Sequence, residues 1–145
     1  MGMHENEISY LIRKAAYDVH VALGPGLLES AYEAALLHEL RLSGLRVQNQ
    51  VALPMVYKDI KLDVGYRLDL WVEDKVVIEL KTVDVLLDVH HMQLLTYLKL
   101  SGSKLGLLIN FNVARIKDGM FRKVNGLEEE PPSALPQRNP QRPLR

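Results

Sequence analysis

Cysteine is missing altogether from the 145 residues. Its absence excludes disulfides, thiolate catalysis and the common Cys-containing structural zinc sites, so any metal must sit on oxygen or imidazole. No apolar run reaches membrane-spanning length, and the start "MGMHENEISY" lacks the basic-then-apolar layout of a secretory signal. The expected compartment is the cytoplasm. Net charge is missing too: 18 basic residues balance 18 acidic ones, which removes any global electrostatic pull toward nucleic acid. Proline is nearly confined to one end, with only Pro25 and Pro54 before residue 126.

What remains is the composition of an ordinary globule, 48% apolar and 25% charged, of a length that suits one domain with one core. The charges are unevenly spread. Acidic residues outnumber basic ones up to position 98, after which Lys99, Lys104, Arg115, Lys117, Arg122 and Lys123 face only Asp118. That region is either a solvated face or a phosphate-tracking patch. From residue 126 the sequence turns to "GLEEEPPSALPQRNPQRPLR", with too few large apolar side chains to offset its ordering entropy. A domain over 5–125 and a Pro-rich disordered tail over 126–145 are therefore expected.

Ile8, Ile12, Ala15, Ala16 and Val19 recur at helical spacing and predict a helix from about Asn6 to the "GPG" at 24–26. A second helix is predicted over 27–43, stopped by Gly44. Val-, Leu- and Tyr-rich runs predict strands over 47–57 and 60–72, with Pro54 at an edge or bulge. "KVVIELK" reads as a third strand, 88–101 as a helix ended by Gly102, and "KLGLLINF" as a buried strand. "ARIKDGMFRKV" carries the Asp-Gly signature of a hairpin. The order ααβββαββ is that of an α/β protein with a mixed sheet flanked by helices.

Three charges interrupt the apolar pattern of "GYRLDLWVEDKVVIELKTVD". Side chains alternate across a strand, so Glu79 and Lys81 share a face opposite Ile78 and Leu80, while Arg67, Asp69 and Trp71 oppose Leu68, Leu70 and Val72. Asp69 joins Glu79's face only if Val72 pairs with Val76 across a three-residue loop, because a two-residue turn would separate them. Two carboxylates and an ammonium brought together are costly unless a cation binds or the face is wet. A hard, oxygen-seeking ion, Mg²⁺ or Mn²⁺, fits such a set. A solvated strand edge is the other reading of these residues.

Asp69 followed by "ELK" at 79–81 resembles the Asp…(Asp/Glu)-x-Lys signature of the PD-(D/E)XK phosphodiesterase superfamily. "GLLESAY" at 26–32 resembles the GxxExxY pattern that names a family of small bacterial proteins within it, and "QLLTY" at 93–97 resembles the Q-x-x-x-Y element of RecB-like nucleases. The resemblance covers residues 5–125 and implies a restriction-endonuclease-like core. It also implies roles. Asp69 and Glu79, with the main-chain carbonyl of Leu80 and a carboxylate from Glu29, would hold the divalent ion. Lys81 would activate water and stabilise charge on the phosphate, and Gln93 and Tyr97 would line the site. Leu68 stands where the pattern often has Pro.

The implied activity is Mg²⁺-dependent hydrolysis of nucleic acid, DNA before RNA, with a protein partner or a homo-oligomer as further possibilities. A nuclease-fold module that binds or assembles without cleaving is the alternative, and a toxin, defence or repair component guided by another chain is a third. His90, three residues before Gln93, is a candidate proton relay or phosphate contact, and Arg67 a candidate phosphate contact or ion-pair partner. Tyr32 is expected in the core with its hydroxyl bonded, Glu33 on a solvated helix surface or, one turn after Glu29, behind the site residues, and His20 and His38 in packing or surface positions. "GPG" supplies a turn between helices and no phosphate-cradling loop.

Overall fold

The computed structural model describes residues 2–128. Its elements are α1 (Glu5–Leu23), α2 (Glu29–Leu42), β1 (Val47–Tyr57), β2 (Ile60–Val72), β3 (Val76–Lys81), α3 (Asp88–Ser101), β4 (Leu105–Asn110), a 3-10 turn (Ile116–Gly119) and β5 (Met120–Val124). The expected α/β order is the observed one. Residues 129–145, most of the expected tail, lie outside the described residues. Among the described residues no helix is long and apolar enough to cross a membrane.

Helix α1 begins where a capping box forms: His4 Nδ1 accepts the Asn6 N–H at 2.9 Å, and Glu7 reaches back to the His4 N–H. It ends at Gly24, whose φ of 68° favours glycine. The stripe of Ile8, Ile12, Ala16 and Val19 is buried as its spacing demands, and His20 is buried in packing, its ring bonded to the Val113 carbonyl. Helix α3 ends at Gly102 in the left-handed conformation expected of a C-terminal stop.

The five strands lie in the order β1-β2-β3-β4-β5, with β3 and β4 parallel and all other neighbours antiparallel. A parallel pair needs a crossover, which α3 supplies. Helices α1 and α2 pack on one face, against Leu70, Ile78, Leu80 and Leu107. On the other face Leu94, Tyr97 and Leu98 of α3 pack against Val77 and Leu108. Being covered on both sides, β4 is buried at every position.

Pro54 lies on the edge strand β1 at a bulge, as expected: Leu53 pairs with Tyr66, but Met55 already pairs with Leu62. Gly65, with φ at 81°, absorbs the extra residues on β2. Beyond it the two strands run on to a two-residue turn, Lys58-Asp59, with both residues at positive φ between the paired Tyr57 and Ile60.

Two sequence expectations need correction. Leu68 does not share a face with Leu70 and Val72, because it packs in the α3 cluster while they pack under α1 and α2. The break falls at Asp69. Opposite it, between the pairs Asn49↔Leu70 and Val51↔Leu68, lies Gln50 with φ at 52°, and this left-handed residue bends the ribbon.

The second correction concerns Asp118-Gly119, which forms no hairpin turn. It closes the 3-10 turn, and neither residue has the positive φ that a tight hairpin turn demands. Glycine is required for a different reason: a Cβ at 119 would collide with the Asn110 carbonyl oxygen. Gly119→Ala should therefore destabilise the protein by ~2 kcal/mol, lowering Tm by ~6 °C. Thermal denaturation followed by circular dichroism checks this, and an unchanged Tm would show that the connection from β4 to β5 yields.

Candidate active site

The β2–β3 ladder runs through Val72↔Val76, Trp71↔Val77 and Leu70↔Ile78, which is the register the three-residue loop demands. Continued one step it sets Asp69 against Glu79. At this point a side chain takes over from the backbone: Asp69 Oδ2 accepts the Leu80 N–H at 2.7 Å. In an extended residue the N–H and C=O project to the same side, so the Leu80 carbonyl also faces the gap between the strands. Glu79, only 4% exposed, lies at the gap, and Lys81 Nζ is 3.8 Å from Glu79 Oε2.

Both helical layers reach this gap. Glu29, the first residue of α2, is close enough for Asp69 and Lys81 to act on its charge. The loop before it is fixed by Tyr32, whose hydroxyl donates to the Gly24 carbonyl and accepts the Leu27 N–H. The Tyr32 ring stacks on Phe111 at 4.5 Å, and the Phe111 N–H donates to the Lys81 carbonyl at 3.0 Å. One strut thus ties the approach to Glu29 to the end of the strand that carries Lys81. From the other layer, Gln93 Nε2 donates to the Tyr97 hydroxyl at 3.0 Å, and Tyr97 meets Tyr66 edge-on.

The electrostatics are those of crowded negative charge. Burial, then the charge of Asp69 and a hydrogen bond to it, push Glu79 up to about 9, with Lys81 opposing. Burial and Asp69 also raise Glu29, and burial, Glu79 and Asp69 push Tyr97 up to about 12. Burial and the neighbouring Asp69 carboxylate thus both favour the protonated form of Glu79. Its Oε1 is buried without a hydrogen-bond partner.

Such a pair fits a cation that would replace the proton and satisfy the orphaned oxygen. With two carboxylates and one carbonyl, all oxygen, the donors suit a hard divalent ion. Among the described residues no group of three or more His, Cys, Asp or Glu side chains is placed to hold a metal. Glu29 feels the charge of Asp69 and Lys81 from the first turn of α2.

The other candidates have their own partners. His90 Nδ1 accepts the Leu87 N–H at 3.0 Å and closes the N-terminus of its own helix. Arg67 is exposed and donates to the Gln50 carbonyl. The basic residues after position 98 do not share one surface: Arg122 turns to Asn6 of α1, whereas Lys123 acts on His91 of α3. Glu33 is not merely solvated, since it accepts hydrogen bonds from Gln50 and Asn49. Gln50 was not singled out by sequence, and no local signal marks it.

A mixed sheet whose second and third strands part around an Asp, a Glu and a Lys defines a restriction-endonuclease-like α/β protein. The chain belongs to the PD-(D/E)XK nuclease superfamily, whose family model matches residues 6–123. Among solved structures it is similar to the crystal structure of SSO0001, at 20% identity over 88% of this chain and 80% of that one, with a TM-score of 0.48. No curated protein matches the sequence.

Proposed function

We propose that residues 5–125 form a metal-dependent phosphodiesterase acting on nucleic acid, DNA in the first instance, in the cytoplasm. Gly26, Glu29 and Tyr32 support placing it in the GxxExxY family. The observation that carries the reading is Glu79, a carboxyl group buried beside a second carboxylate, with one oxygen unpartnered and a lysine 3.8 Å from the other.

Asp69, Glu79 and the Leu80 carbonyl would hold Mg²⁺ or Mn²⁺. Such an ion supplies a water of lowered pKa and withdraws charge from the phosphate. The Leu80 amide fixes Asp69, so one donor is oriented before any ion arrives. Lys81 stabilises the negative charge that grows on the phosphate. Glu29, its proton affinity raised by burial and by Asp69, orients the attacking water and takes its proton. Tyr97 stays protonated throughout the working range and, with its oxygen accepting from Gln93, keeps its own proton to donate into the site. Arg67 and His90 would serve as substrate contacts. The scattered basic residues favour help from a partner chain or a second copy in gripping substrate.

A panel of labelled DNA and RNA substrates with Mg²⁺ or Mn²⁺ tests this. Product release that depends on metal and stops with EDTA is expected. Calorimetric Mn²⁺ binding without cleavage of any substrate would instead identify a binding or assembly module.

A further inference from the structure

Five non-glycine residues among those described have positive φ, and four of them, Lys58, Asp59, Glu73 and Asp74, occupy the two hairpin turns. Gln50 alone sits inside a strand. An L-residue does not adopt φ of 52° there unless its surroundings hold it.

The surroundings do so through three hydrogen bonds from two neighbouring elements. Gln50 Nε2 donates to Glu33 Oε1 at 2.7 Å, the adjacent Asn49 donates to Glu33 Oε2 at 3.4 Å, and the Gln50 carbonyl accepts from Arg67 at 3.3 Å. Glu33 lies one helical turn beyond Glu29 on α2. Helix and strand are thus bracketed at the position facing Asp69.

In a regular strand a side chain stands perpendicular to the sheet and cannot reach a backbone amide in the sheet plane. Asp69 does reach one, that of Leu80. It does so at the place where the alternation of Leu68 and Leu70 breaks, opposite the bend at Gln50. We infer that Glu33 and Gln50 are positioning residues: their bracket holds a strained bend in β1 that turns the Asp69 carboxylate into the gap beside Glu79. The inference deepens the proposed function and rests on it for the purpose of Asp69, though its test does not.

Hydrogen exchange of the Leu80 amide, measured by NMR on the metal-free protein, reads the placement of Asp69 directly. Gln50→Ala keeps a strained L-residue at this φ and loses the hold on Glu33, whereas Gln50→Gly adopts the φ without strain and should keep the bend and the Leu80 protection. Gln50→Ala and Glu33→Ala should each speed Leu80 exchange by about tenfold or more and leave the Val77 amide at its wild-type rate. Glu33→Gln, which still offers an oxygen to Gln50, should retain protection. Calorimetric Mn²⁺ affinity should fall by about tenfold in Gln50→Ala and Glu33→Ala and not in Glu33→Gln.

Unchanged Leu80 exchange in both disrupting variants, or equal acceleration across all sheet amides, would overturn the bracket. A wild-type protein that neither binds Mn²⁺ nor cleaves would instead sink the catalytic reading and leave the exchange result standing on its own.

Discussion

Glu79→Gln is expected to raise the stability of the metal-free protein while cutting metal-dependent cleavage by ~10³. An unfolded glutamate titrates at 4.5, whereas the folded one is pushed to about 9. Between those values the native state binds a proton that the unfolded state has released. The stability associated with that proton is fully present below pH 4.5 and is lost as pH rises toward 9. Each pH unit in the window costs at most ~1.4 kcal/mol, and relaxation around the carboxyl pair reduces it. Glutamine mimics the protonated form and does not titrate. The variant should therefore match the wild type near pH 5 and exceed it by ~2 kcal/mol near pH 8, read by denaturation in EDTA. A stability gap that stays flat or reverses with pH would show that Glu79 is not held protonated.

Lys81→Ala is the second large effect. The ammonium is 3.8 Å from Glu79 Oε2 and partly shielded from water, at 20% side-chain exposure. Its loss should lower kcat by ~10²–10³ with a smaller change in KM, because charge on the phosphate grows in the transition state. It should also move a titration. Lys81 lowers the proton affinity of Glu79, so without it the carboxyl holds its proton more tightly and the pH of half-maximal Mn²⁺ binding rises. Full cleavage with an unshifted binding profile would remove Lys81 from the site. A shifted profile with unchanged kcat would leave it an electrostatic neighbour only.

The register that brings Asp69 toward Glu79 was legible because a three-residue loop between Val72 and Val76 sets the ladder as far as Leu70↔Ile78, whereas the break of alternation at Asp69 was not. Strand and helix limits were legible for a similar reason, since glycine and proline stand where the backbone must turn. Gln50 was not legible. Its conformation is imposed by Glu33 on a different element, and glutamine within a Val- and Leu-rich run gives no sign of it. Asp118-Gly119 misled because one dipeptide answers two demands, positive φ and close approach, and here only the second applies. Glu33 looked like surface because its partners, Asn49 and Gln50, lie some sixteen residues away in sequence.

The bulge at Pro54 has a consequence for the protein at high concentration. Strand β1 is an edge of the sheet, and an edge of its eleven residues is long enough to template a foreign strand. Pro54 offers no amide hydrogen at its middle, and the shifted register beside it bends the ribbon out of line. The opposite edge, β5, is only five residues long. Neither border therefore presents an unbroken row of donors and acceptors, and the sheet is guarded against growing chain by chain into a fibril.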